Sequence, residues 1–369
     1  MEVLHVSNVN DFEIIASKRK YQVVFEPDFL KSLQGLDLEQ CFFIIDKNVK
    51  HIYQEQLSRI ILSARVLEID ANELSKSLES IPNYVQYLVE NNIKRGQLLV
   101  AIGGGVTQDI CCFLSTNLFR GLDWIFYPTT LLAQADSCIG SKSSINCLSI
   151  KNIMGSFNPP NKVYMNRAFL NSLEQKDIFS GIGEIIKAHA IDSLDQVAKI
   201  KNAYQEMLID FKVLEKFIYQ SMMIKKRFIE VDEFDQGIRN IFNYGHSFGH
   251  AIEAATNYEI PHGIAVTMGM DFANYVAYRI GINDGTFYRS MHQLLFENYQ
   301  YSLDVPIDLD RFLNAIAKDK KNTTKDKLTL ILPNHKQALE KVSCLFGEDF
   351  KAICNDFLCS KMVELIEEG

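Results

Sequence analysis

No run of 18 apolar residues occurs in this 369-residue chain, so the sequence offers nothing that would cross a membrane as a helix. A surplus of positive charge is also missing. Lys and Arg number 38 against 46 Asp and Glu, a formal charge of −8, which argues against nucleic acid because that partner calls for a basic face. There is no CxxC. Eight cysteines are scattered, with Cys111 and Cys112 adjacent, a pattern expected of reduced, buried thiols in a cytoplasm rather than of a disulfide framework. The start, Met1-Glu2-Val3-Leu4-His5, lacks the charge and apolar core of a signal peptide, which gives the same cytoplasmic expectation. Internal repeats and low-complexity segments are absent. What remains is ordinary globular composition, 47% hydrophobic, in a chain long enough for two domains.

The first third alternates between strand and helix. Residues 21–25 read as a short strand, 41–45 as a continuous apolar run ending at Asp46, 64–69 as another, and 98–102 as a third. Such runs predict parallel strands buried on both faces. A helix is expected over 81–92, with Ser80 as N-cap and Pro82 in its first turn. Trp124–Tyr127 follows, ending at Pro128-Thr129-Thr130. The alternation predicts a parallel sheet covered by helices.

The strand at 98–102 runs straight into Gly103-Gly104-Gly105. Glycines there let backbone N–H groups approach an anion, and a helix N-terminus favours negative charge. GxGxxG is matched only in part, since Thr107 and Gln108 follow, and a tight turn without a ligand explains the glycines equally well. Residues 129–155 read as a long polar loop with apolar punctuation, of the functional kind. Its lysines and amide donors are what a phosphate ester requires. From about 175 the pattern is helical. Glu184 and Lys187 lie three apart on one face in an apolar setting, readable as an ion pair or as a carboxylate ligand beside a cation. A domain boundary is expected near 174, giving domains 1–174 and 175–369.

Three of the chain's eight histidines, His246, His250 and His262, fall within 17 residues. His246 and His250 share one face of a helix expected to continue to 255. Gly245 and Gly249 leave that face open to close approach. Neutral imidazole is a common ligand for zinc-like metals. The same spacing also suits a surface pair or histidines bonded to carbonyls.

Taken together, Gly103-Gly104-Gly105-Val106 with Asp109, Phe119-Arg120-Gly121, Pro128-Thr129-Thr130-Leu131-Leu132-Ala133, Asp136-Ser137, Lys142, Lys151-Asn152, Glu184-Ile185-Ile186-Lys187 and Asn243 to Ala251 resemble, in order and spacing, the 3-dehydroquinate synthase family of sugar-phosphate cyclases. The resemblance runs from about Asp46 to Lys321. It implies an α/β fold, with an N-terminal parallel-sheet NAD-binding domain and a mostly helical C-terminal domain for metal and substrate. It also implies NAD, one divalent metal (zinc or cobalt), a sugar-phosphate substrate, a homodimer and a place in the shikimate pathway. The metal ligands it implies are Glu184, His246 and His262, so the HxxxH pair does not chelate together. Asp46, Glu73, Lys76, Gly104, Gly105, Asp109, Thr129, Thr130 and Lys151 fall to the cofactor. Lys142, Asn152, Asn243, His250 and one of Lys320 and Lys321, with Lys321 favoured, fall to the substrate phosphate, with Arg120 reaching it from a neighbouring subunit. Asp136 and Lys187 fall to ring hydroxyls, and Lys225 and Arg239 to a carboxylate.

The reaction implied is that of a carbon–oxygen lyase, converting 3-deoxy-D-arabino-heptulosonate 7-phosphate to 3-dehydroquinate. Several positions depart from the family pattern: Asn72, Gln108, Ser141, Ser149-Ile150, Asp235 and Ile264. They point to a divergent branch. An amino analogue of the heptulosonate would keep the carboxylate. A polyol dehydrogenase of related fold would need no phosphate clamp, and a non-catalytic NAD scaffold would need no complete ligand set.

Overall fold

The structure, a computed structural model, describes residues 9–62, 65–148, 150–319, 322, 324 and 326–361. It divides into two compact units. Unit 1 comprises Met1–Glu174 and Asp210–Asp235, and unit 2 comprises Gln175–Ile209 and Gln236–Gly369. The segment 210–235, grouped with the second domain on sequence grounds, lies in unit 1. Its helix Phe211–Val231 packs a buried apolar stripe (Leu214, Phe217, Ile218, Met222), and Glu230 and Glu233 accept backbone N–H groups of Ile15 and Ser17.

Unit 1 is built on β1 (Phe12–Ile15), β2 (Lys20–Phe25), β3 (Cys41–Asp46), β4 (Val66–Ile69), β5 (Leu98–Gly103), β6 (Asp123–Pro128), β7 (Lys142–Cys147), β8 (Ile150–Phe157) and β9 (Lys162–Met165). Seven of these form one sheet in the order β1-β2-β9-β6-β5-β3-β4. It is parallel except for the antiparallel edge pair β1–β2. All six residues of β3 and five of six in β5 are buried, which is why those segments read as unbroken apolar runs rather than alternating ones. Phe43, Ile45, Val100, Ile102, Ile125 and Tyr127 share one core with Phe169.

From β3 the chain goes outward to β4. It then returns to β5 on the other side of β3 and continues to β6. The order therefore reverses between β3 and β5, and such a switch point at the carboxyl ends of strands is where open α/β sheets bind ligands. Asp46 and Gly103-Gly104-Gly105 end those two strands.

Several local expectations change. The helix at 81 ends at Glu90, and Ser80 does not cap it; the Ser80 hydroxyl donates to the Leu74 carbonyl instead. The polar loop expected over 129–155 contains a π-helical turn, Ala133–Ser137, and the β7–β8 hairpin. The weakly alternating strands β1 and β9 carried too little pattern to be read in advance.

Unit 2 is mostly helical, with a hairpin of β10 (Lys327–Pro333) and β11 (Leu339–Leu345). Its centre is the helix His262–Arg279, in which every residue from Gly263 to Ala277 is buried, so the apolar residues do not form a single stripe. Two neighbours approach it backbone to backbone. A Cβ on Gly263 would lie 1.8 Å from the Ser180 carbonyl oxygen, and one on Gly183 2.2 Å from that of Gly263. Gly245 takes φ +76°, and a Cβ there would meet the Val266 carbonyl at 2.7 Å. Among the described residues no helix is long and apolar enough to cross a membrane.

Candidate active site

Those glycine crossings bring three helices of unit 2 together. Gln175–Asp192 carries Glu184, His246–Ala255 begins with His246, and His262–Arg279 begins with His262. His262 thus opens a helix. The Nε2 atoms of His246 and His262 lie 3.9 and 3.7 Å from Glu184 Oε1. Each ring is oriented through its other nitrogen. Nδ1 of His246 is 3.2 Å from the Tyr244 carbonyl, and Nδ1 of His262 is 3.2 Å from Glu253 Oε2. With Nδ1 donating, Nε2 presents its lone pair, the arrangement found in carboxylate–histidine–metal sites.

Glu184 is 2% exposed, and its Oε1 has no hydrogen bond. Its Oε2 pairs with the equally buried Lys187, the ion pair that this spacing allows. A buried carboxylate oxygen without a donor is costly. A cation bonded at about 2.0–2.1 Å to these atoms would need each imidazole nitrogen roughly 3.4 Å from Glu184 Oε1, a contraction of a few tenths of an ångström in those two distances. Burial opposes a charged His262, but its bond to Glu253 and the nearby charges of Glu253 and Glu184 outweigh this, and its pKa is raised.

His250 is exposed, with its ring centroid 5.4 Å from that of His246. The ligating atoms of His246, His250 and His262 lie within 4.8 Å of one another, so the pair seen in the spacing belongs to the same cluster. Water can satisfy an exposed imidazole, whereas Glu184 Oε1 has no such recourse. Arg239 is buried at 6% exposure in the 3₁₀ turn Ile238–Asn243, and Asn243 donates to the Asn240 carbonyl at 3.0 Å. Lys321 lies outside the described residues.

Unit 1 holds the remaining candidates. Asp46 caps the next helix by accepting from Asn48 N at 2.8 Å, and burial raises its pKa. Gly104 precedes the helix Gly105–Asn117 with no side-chain cap, so the helix's first N–H groups are not taken by a capping side chain. A Cβ on Gly104 would lie 2.9 Å from Thr130 Cγ2. Thr129 N bonds the Gly103 carbonyl at 2.9 Å, and Thr130 Oγ1 accepts from Ala133 N at 3.2 Å.

Beside this turn, Lys76 Nζ reaches Asp109 Oδ2 at 3.2 Å, Glu73 Oε1 at 3.3 Å and Asn152 Oδ1 at 3.0 Å. Asn146 holds Glu73 Oε2 at 2.8 Å. Burial raises the Glu73 pKa, but Asn146, Lys76 and Lys151 more than offset it, and the net shift is downward. Burial likewise pushes Asp109 up, to about 6 even with Lys76 opposing. Asn152, assigned to the phosphate by resemblance, thus sits with the cofactor candidates. Lys225 Nζ donates to the Asp136 carbonyl at 2.5 Å and pairs with its Oδ1 at 2.9 Å. Lys142 pairs with Asp235 at 2.9 Å. Arg120 is exposed with φ +67°, next to exposed Phe119 at φ +52°.

Sequence reasoning missed Glu253, Asn146 and the contact between Gln108 and Ser137. Glu253 was within reach, being three residues after His250 on the same helical face. The other two are paired across gaps that periodicity does not report.

Residues 66–180 match the model of the 3-dehydroquinate synthase N-terminal region, and residues 181–322 that of its C-terminal region. A 3-dehydroquinate synthase of Thermoanaerobacter sp. (strain X514) is 33% identical over 356 residues, covering 93% of this chain and 99% of that one. The chain belongs to the 3-dehydroquinate synthase family. In fold it is similar to 2-deoxy-scyllo-inosose synthase complexed with carbaglucose-6-phosphate, NAD+ and Co2+, with a TM-score of 0.80 at 24% identity and coverage of 94% and 99% of the two chains. It is also similar to 2-epi-5-epi-valiolone synthase from Streptomyces hygroscopicus subsp. jinggangensis 5008 with NAD+ and Zn2+ bound, with a TM-score of 0.77 at 21% identity and coverage of 96% and 99%.

Proposed function

We propose that this chain is an NAD- and divalent-metal-dependent cyclase, a lyase that converts 3-deoxy-D-arabino-heptulosonate 7-phosphate to 3-dehydroquinate and phosphate, and that it works as a cytoplasmic homodimer. The observation that carries the reading is the convergence of Glu184 Oε1 with two oriented imidazole nitrogens. Family membership supports it, as do fold neighbours holding NAD+ with Co2+ or Zn2+. When bound, NAD+ supplies transient removal and return of a hydride, and the metal supplies Lewis acidity at a hydroxyl.

Glu184, His246 and His262 hold the metal, and Glu253 and the Tyr244 carbonyl fix the tautomers that make this possible. Asp46, Glu73, Lys76, Asp109, Thr129, Thr130 and Lys151 would hold the cofactor, with the N–H groups at Gly104 and Gly105 available to its pyrophosphate. Lys225 and Arg239 grip the substrate carboxylate. Both are buried cations, able to form charge-assisted hydrogen bonds to a carboxylate, with the two-pronged geometry that arginine allows. Lys142, Asn152, Asn243, His250 and Lys321 hold the phosphate and neutralise its charge as it leaves, joined by Arg120 of a second copy. Asp136 and Lys187 orient ring hydroxyls by hydrogen bonds. In this scheme the protein acts by positioning and electrostatics.

The deciding experiment incubates purified protein with Zn2+ or Co2+, NAD+ and the heptulosonate phosphate, and follows phosphate and dehydroquinate. Both should appear with no net NADH. Faster turnover of sedoheptulose 7-phosphate, which has no carboxylate, would overturn the substrate assignment and leave a cyclase of another kind.

A further inference from the structure

Gln108 makes two hydrogen bonds to one residue. Its Nε2 donates to the Ser137 carbonyl at 2.7 Å, and its Oε1 accepts from the Ser137 hydroxyl at 2.6 Å. It is 5% exposed, and a buried carboxamide is tolerated when both its ends are satisfied, as here. Ser137 ends the one-turn π-helix Ala133–Ser137, closed by the bond from Cys138 N to the Ala133 carbonyl. A helix this short has no following turn to bond its last carbonyls, and Gln108 supplies the missing donor at Ser137.

The residue before Ser137 is Asp136, which holds buried Lys225 through both its carbonyl and its carboxylate. Gln108 itself stands in the first turn of the helix Gly105–Asn117, directly after the glycine turn and directly before Asp109. One side chain therefore ties the glycine turn to the Asp136–Lys225 pair.

We propose that Gln108 is a positioning residue: by gripping Ser137 at hydroxyl and carbonyl together, it fixes the placement of Asp136 and Lys225 relative to the glycine turn and its cofactor. Two bonds to one residue suppress rotation as well as translation of the turn, which one bond would not. What Asp136 and Lys225 touch rests on the function proposed above; the clamp itself does not.

The test variant is Gln108→Leu, which keeps the bulk and loses both bonds. Misplacing a reactive group by about 1 Å costs on the order of 100-fold, so kcat for the heptulosonate phosphate should fall roughly 10- to 100-fold, with retained NAD and metal content unchanged. A role through Asp136 also predicts non-additivity. In an Asp136→Asn background, Gln108→Leu should cost little more, and a full second loss would overturn the proposal. Amide hydrogen exchange over residues 133–138 gives a reading independent of turnover. It should speed up in Gln108→Leu, and unchanged exchange would overturn the clamp. If the parent does not turn over the heptulosonate phosphate, the functional reading fails and exchange alone decides this one. Should Gln108→Leu fail to fold, Gln108→Glu keeps the acceptor for the Ser137 hydroxyl and loses the donor to its carbonyl. It should shift both assays in the same direction, and no shift in either would overturn the proposal.

Discussion

At the candidate sites, the charged groups of the two units are handled in opposite ways. In unit 2, Glu184 and two imidazoles converge with an acceptor atom that no protein donor satisfies. In unit 1 the cations are already neutralised: Lys76 by Glu73 and Asp109, Lys225 by Asp136, Lys142 by Asp235. The first arrangement is incomplete without a cation. The second is complete, so a ligand anion would have to compete with resident carboxylates. Unit 2 should therefore respond to metal in its stability, and unit 1 should respond to ligand mainly in the placement of side chains.

The largest effect expected from breaking this contrast is at the unsatisfied end. His246→Ala should remove the metal, measured by elemental analysis, and lower phosphate release by about 1,000-fold or more, since Lewis-acid assistance is worth several kcal/mol. A variant that keeps stoichiometric metal in the fold would contradict the assignment of this ligand.

At the neutralised end, Lys225→Ala should lower kcat/KM roughly 10- to 150-fold, from charge-assisted bonds worth about 1.5–3 kcal/mol. Metal content should not change. Arg239→Ala, in unit 2 but outside the ligand set, should behave alike. Loss of metal in either variant would merge the two regions that the comparison separates.

Glu253→Gln sharpens the unit 2 side. Glutamine can still accept from His262 Nδ1 but carries no charge, so metal affinity measured by chelator competition should weaken by about 10- to 100-fold. An unchanged affinity would mean that Glu253 does not tune the ring.

The smallest effect concerns Asp109 of unit 1, whose pKa is pushed up to about 6 by burial. Between roughly pH 4 and 6 the folded chain holds a proton that the unfolded chain has released, so this group's contribution to stability declines as pH rises through that window. Above it, the charged, buried form is a net cost. Urea unfolding of the parent minus Asp109→Asn should show this slope, on the order of 1 kcal/mol after screening. A flat difference would place Asp109 with ordinary solvated carboxylates.

Much of unit 1's sheet was legible in advance because β3 and β5 are buried on both faces and show as unbroken apolar runs. β1 and β9 were not, because at four residues each they carry too little pattern. The hairpin β7–β8 was hidden by its own composition. Its Lys142, Ser143 and Ser144 read as a loop, and its β8 is largely exposed, so there was no buried face to reveal alternation. At the site, the histidine spacing pointed to His246 with His250, whereas the oxygen most in need of a cation is on Glu184, 62 residues before His246 in the chain. Local periodicity reports which residues share a face and is silent about which faces meet.

The sequence by itself determined the buried strands, the glycine turn after β5, the helix that begins at His246 and, through motifs in register, the family. Tertiary structure decided the rest. Backbone contact at Gly183 and Gly263 chose Glu184 as the partner of two imidazoles, burial left its Oε1 without a donor, and the return of 210–235 to unit 1 paired Lys225 with Asp136. Each of these depends on a distance between segments far apart in the chain, and such distances are fixed by packing rather than by any local pattern of residues.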